Sequence, residues 1–175
     1  MSDKLPIICY HPGARGDFLR SVLFGNRLLN DAHNATVGDP GQRIRVEKLH
    51  WYDNTACVRT ESDFKKFMSI KISADTLQEQ KKIAWLLTIK HSKLHATEVS
   101  HNQWLTNVDF VKHWTTTFRD VKFDVVVPFE NLFCVNYLLQ LCINCSLSPV
   151  TNQEKLRIQK NIDLNLAILN ANGLW

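Results

Sequence analysis

One stretch constrains the fold of this chain more than any other: Leu5-Pro6-Ile7-Ile8-Cys9-Tyr10-His11-Pro12-Gly13-Ala14-Arg15-Gly16-Asp17-Phe18-Leu19. An apolar run, a glycine-bearing loop and the start of an amphipathic segment follow one another, which predicts strand, tight turn and helix. α/β proteins hold phosphate with that succession. Gly13 and Gly16 lack Cβ atoms, so the loop backbone can take positive φ and turn N–H groups toward an anion at the helix N-terminus. The loop is not a Walker motif, because no Gly-Lys-Ser/Thr follows and Asp17 stands near the hydroxyl position. The same residues also read as a plain βα turn with Asp17 as N-cap, its carboxylate accepting the N–H bonds a phosphate would receive.

The rest of the chain alternates strand and helix signals. A first helix is expected over Asp17–Leu29, with Arg20 and Arg27 facing solvent, followed by a polar loop over Asn30–Arg43. Ile44–His50 alternates as a strand, Thr55–Val58 reads as an edge strand, and Phe67–Ser73 is a second clear strand. Asp75-Thr76-Leu77-Gln78 has capping-box spacing before a helix to about Lys90. Asn102–Arg119 repeats at three and four residues, with its aromatics expected in the core. Phe123–Pro128 has the composition of a strand buried on both faces, and a helix opens at Phe129 and runs to about Asn144. A capping box at Thr151–Glu154 starts a last helix that stops near Gly173. This alternation predicts a mainly parallel sheet with flanking helices in one domain over residues 1–175, its ligand crevice at the C-terminal ends of the strands.

Bulk properties narrow the function classes. The net charge of +4 permits an anionic ligand, and no aromatics interleave with Lys65-Lys66, Lys81-Lys82, Lys90 and Lys93, so nucleic acid is not an expected partner. No apolar run is long enough to span a bilayer, and a soluble, cytoplasmic protein without a membrane partner is expected. The five cysteines are odd in number, and Cys9, Cys134 and Cys142 lie in apolar runs, which predicts reduced, buried thiols. His91 and His95 share a helical face with Glu98 a turn further on, but Lys90 and Lys93 disfavour a cation, so no metal is expected.

Four segments together resemble the sulfotransferase family, whose P-loop-like fold binds the nucleotide sulfate donor PAPS. Pro12–Leu19 looks like the family's phosphosulfate loop, and Lys48-Leu49-His50 looks like its Lys-x-His segment. Lys71-Ile72-Ser73-Ala74-Asp75 looks like its Arg-x-Pro-x-Asp turn, and Val126–Leu132 is similar to its late strand and Tyr-Glu-Asp-Leu segment. The resemblance implies a three-layer, P-loop-like α/β fold and transfer of a sulfuryl group from PAPS to a hydroxyl acceptor. It implies His50 as catalytic base, with Lys48 and Arg15 stabilising developing negative charge. Gly13, Ala14, Arg15, Gly16, Asp17 and Lys71 would hold the donor. The departures are specific: the paired loop hydroxyls are missing, Gly13 or Ala14 stands in place of the family's lysine, Lys71 replaces an arginine, and Glu79 stands where a phosphate-binding serine is expected. They define an alternative, a catalytically inactive P-loop-like binding or assembly protein with a protein partner.

Overall fold

The structure, a computed structural model, describes residues 5–11, 13–23, 47–49, 67–117, 122–145 and 149–175. Its sheet contains β1 (Leu5–Cys9), β2 (Glu47–Leu49), β3 (Phe67–Ser73) and β4 (Val125–Pro128), all parallel, in the order β2-β1-β3-β4. The helices are α1 (Gly16–Leu23), α2 (Leu77–His95), α3 (His101–Thr117), α4 (Val135–Asn144) and α5 (Asn152–Asn170), with a 3-10 turn over Phe129–Phe133. The mixed α/β class and the parallel sheet are as the alternating pattern predicts. The chain leaves β1 for a neighbour on one side and later places β3 on the other, so the loop after β1 emerges where the strand order reverses. Open parallel sheets bind ligands at such switch points.

Register is fixed by pairing and by one polar clasp. Ile8 lies opposite both Lys48 and Ile70, and Ile70 opposite Val125. At the start of β4, Asp124 Oδ2 accepts from the Ser69 N–H at 2.8 Å and from its hydroxyl at 3.1 Å, while the Asp124 N–H donates to Ser69 Oγ. Ile8, Ile70, Ile72 and Val127 carry the strand contribution to a single core, which Leu19 and Val22 of α1 and Ile83 of α2 complete.

Several sequence expectations need correction. The box that opens α2 is Thr76 with Glu79: the Glu79 N–H donates to Thr76 Oγ1 at 3.1 Å, and Glu79 Oε2 accepts from the Thr76 N–H at 2.9 Å. This shifts the expected Asp75–Gln78 box by one residue, and α2 continues to His95 until Ala96 takes a left-handed φ of 50°. The run expected as one helix from Phe129 is broken at Cys134, whose extended backbone separates the 3-10 turn from α4. Cys134 is therefore exposed, not buried, whereas Cys142 is buried; the Cys9 side chain lies outside the description. β4 is not buried on both faces, because Val126 is 51% exposed and only Val127 is fully covered. Arg20 is buried rather than solvent-facing, since every residue of α1 except Asp17 is enclosed. The Thr151–Glu154 box is found as expected. The expected Thr55–Val58 strand, Arg27 and the Asn30–Arg43 loop lie outside the described residues.

Candidate functional site

The loop after β1 is closed by its own residues. Gly13 adopts a φ of 90°, and a Cβ there would lie 2.7 Å from the Ile83 carbonyl oxygen and 2.9 Å from Leu87 Cβ, so the loop is seated directly on α2. The Ala14 N–H donates to the His11 carbonyl at 2.9 Å, which commits one loop donor to a turn. Tyr10, His11, Ala14, Arg15 and Gly16 are all buried, and Gly13 and Asp17 are half-buried. At Gly16 the Tyr10 ring lies so close that a Cβ would sit 2.1 Å from its Cγ. The Tyr10 hydroxyl then donates to Asp17 Oδ1 at 3.0 Å. The ring thus lies across the first turn of α1, and Asp17 places a carboxylate there, the charge that complements the helix dipole. Asp17 acts from inside the helix, since α1 begins at Gly16.

Arg15 points its side chain into the interior. Its backbone takes a left-handed φ of 59°, and its guanidinium turns inward to donate through Nη1 to the Leu132 carbonyl at 3.1 Å and through Nη2 to Asn161 Oδ1 at 2.5 Å. Phe18 and Phe133 offer ring faces at 4.0 and 4.4 Å. Among the described residues no carboxylate pairs with it, and its Nε has no partner. Burial pushes its pKa down to about 9, which leaves the guanidinium charged at neutral pH. The charge is held by carbonyl and amide oxygens and by π faces, a set that suits the weakly hydrated guanidinium better than an ammonium.

The remaining candidates are placed as follows. Lys48 lies in β2 opposite Ile8, and Lys71 in β3 opposite Cys9, so both stand near the sheet end from which the loop emerges. Lys71 is half-buried, with its ammonium 5.7 Å from the Phe123 ring centroid. His50 lies outside the described residues. Glu79, which the resemblance sets where a phosphate-binding serine is expected, is taken up by the cap of α2. Sequence reasoning missed Tyr10, although an aromatic residue directly before a glycine loop is a local signal for it. It also missed Asn161, for which no local signal exists.

Elsewhere, the His91 and His95 rings stand 6.3 Å apart on the last turns of α2. No group of three or more metal-ligating side chains is found among the described residues. Burial, then the His95 and Lys90 charges, holds His91 below its ordinary value of 6.5. In the window below that value the unfolded chain binds more protons than the folded one, so this contribution is present above it and is lost as pH falls. Replacing His91 by Gln is expected to reduce acid sensitivity, narrowing the fall in melting temperature between about pH 7.5 and about pH 5. Paired thermal melts of wild type and variant check this.

No helix among the described residues is long and apolar enough to cross a membrane. Comparison with known proteins gives no match to a family model, to a curated protein or to a solved structure.

Proposed function

We propose that this chain is a non-catalytic binding or assembly protein, built on a three-layer, P-loop-like α/β architecture whose phosphate loop is filled by its own side chains. The observation that carries this reading is the Tyr10 ring on Gly16, its hydroxyl bonded to Asp17 at the N-terminus of α1. An anion bound there would have to displace the ring and compete with a carboxylate for the same positive end of the helix dipole. Arg15, the loop's one cation, is occupied on the far side by Leu132 and Asn161. A protein partner suits the helical side of the molecule: Leu156 and Leu164 lie eight residues apart on one face of α5, 71% and 60% exposed, and Ile143 of the neighbouring α4 is 65% exposed.

A second reading, a PAPS-dependent sulfotransferase-like enzyme acting on a hydroxyl acceptor, is favoured by the strand order. Parallel pairing brings the loop, Lys48 and Lys71 to one end of the sheet at its switch point. In that enzyme His50 would take the acceptor proton and Lys48 would stabilise charge on the leaving phosphate. Arg15 would first have to leave its interior contacts.

Thermal melts with adenosine 3′,5′-bisphosphate separate the two readings. A site with a Kd of about 10 µM would, at about 1 mM ligand, add about 2.7 kcal/mol of stability, or about 5–10 °C for a chain of this length. The non-catalytic reading expects the melting temperature to stay within about 1 °C. A shift of several degrees would overturn it in favour of the enzyme.

A further inference from the structure

Asn172 is the only asparagine of the sequence that glycine follows, and it stands just past the end of α5. An asparagine side chain can be attacked by the backbone nitrogen of the next residue, and glycine, without a Cβ, hinders that ring closure least. The conformation around Asn172 decides how freely the folded chain permits it.

The turn is a Schellman motif. The Leu174 N–H donates to the Leu169 carbonyl at 3.0 Å and the Gly173 N–H to the Asn170 carbonyl at 3.0 Å, with Gly173 at a left-handed φ of 63°. Leu169 and Leu174, the apolar pair of such a motif, are both buried in the core. Asn172 itself is exposed; its N–H donates to the Leu169 carbonyl at 3.1 Å, and its side-chain Nδ2 donates to the Ile168 carbonyl at 2.9 Å. The attacking and leaving nitrogens are therefore both committed to helix carbonyls while the turn is closed. The surroundings are open, since a Cβ on Gly173 would meet no atom of the described residues within 4 Å. A helix-end turn held by a few exposed backbone bonds opens well below the free energy of global unfolding.

We propose that Asn172 is a site of spontaneous covalent modification whose rate is set by opening of the turn that ends α5. In the open turn the Gly173 nitrogen gives up its proton to solvent and bonds to Asn172 Cγ. The Cγ–Nδ2 bond breaks, Nδ2 takes a proton from water, and ammonia leaves. One water molecule then hydrolyses the cyclic imide. Cleavage at the side-chain carbonyl leaves aspartate; cleavage at the main-chain carbonyl leaves isoaspartate, whose backbone is longer by one carbon. Either product sets a carboxylate against the last carbonyls of α5, the negative end of its dipole, and removes the donor to the Ile168 carbonyl. The end of α5 thereby records how long its turn has spent open, whatever the state of the loop after β1.

Peptide mapping by mass spectrometry of the full chain, aged at mildly alkaline pH, tests the proposal. Asn172 is expected to convert before any other asparagine, into two chromatographically distinct products with the mass gain of an amide-to-acid exchange. Conversion is expected to be about tenfold or more slower in the folded chain than in the same chain unfolded in urea. Asn172 lasting as long as the other asparagines of the folded chain would overturn the site, and equal rates folded and in urea would overturn control by the turn. Leu174→Ala weakens the turn and leaves the reacting pair in place. It is expected to raise the folded-chain rate about threefold or more with no change in urea, and an unchanged folded-chain rate would also overturn control by the turn.

Discussion

Arg15→Ala is expected to lower the free energy of unfolding by about 3 kcal/mol, through loss of packed side-chain volume and orphaning of buried acceptors. Two effects oppose one another at this position. Burying a cation without a carboxylate is costly, and replacing buried charge by apolar volume is often neutral or stabilising. Alanine does not supply that volume. It leaves a gap between the Phe18 and Phe133 rings, strips the Leu132 carbonyl of its guanidinium donor, and leaves Asn161 Oδ1, among the described residues, only the 3.4 Å contact from Asn165. Arg15→Met fills more of the space and should cost less. Arg15→Gly separates backbone from side chain: the left-handed φ of 59° strains any residue with a Cβ, so glycine should be about 1 kcal/mol less destabilising than alanine. Denaturant unfolding of the three variants measures the ranking. A merely surface-held arginine would show differences within about 0.5 kcal/mol.

Gly16→Ala is the second substitution with a large expected effect, about 3 kcal/mol of destabilisation by overpacking. An added Cβ would fall 2.1–2.2 Å from three carbons of the Tyr10 ring, and that ring is only 2% exposed, with little room to retreat. The cause can be isolated with a double-mutant cycle. In a Tyr10→Ala background the space is vacated, so the added effect of Gly16→Ala should fall below about 1 kcal/mol. Additivity of the two substitutions would mean that the ring does not lie on Gly16.

What the sequence revealed and what it concealed divide along contact range. β3 was legible to the residue, because from Met68 to Ser73 apolar and polar side chains alternate strictly, and the Thr151–Glu154 box carries its whole signal in four residues. The strand-loop-helix at the start was legible for the same reason, and the mainly parallel sheet followed from the alternation. The inward turn of Arg15 was not, since its Asn161 partner lies 146 residues away and no local period encodes it. The burial of Arg20 was hidden similarly: spacing within α1 shows one apolar face, while neighbouring elements cover the other. Val126 misled in the opposite direction, because a β-branched run describes strand propensity and not which side of the sheet is covered. Cys134 lies in an apolar run, yet the extended residue between two helical pieces faces solvent.

For the candidate site, residue order placed a glycine-bearing loop between a strand and a helix, as found, and left the state of that loop open. Whether Asp17 caps the helix or yields to phosphate was undecidable from spacing. The Tyr10 hydroxyl adds a contact that spacing does not encode, holding the carboxylate and the ring together on the first turn of α1. Arg15 and Lys82 were legible as charges but not as interior residues, because the Phe133 ring over the one and the Trp175 ring over the other lie more than ninety residues further along the chain.

The central claim is that the loop after β1 is filled by the chain itself. Calorimetric titration of the purified wild-type protein with adenosine 3′,5′-bisphosphate tests it most directly. The account predicts no saturable heat at ligand concentrations up to about 1 mM, and saturable binding in the micromolar range, lost in Arg15→Ala, would contradict it.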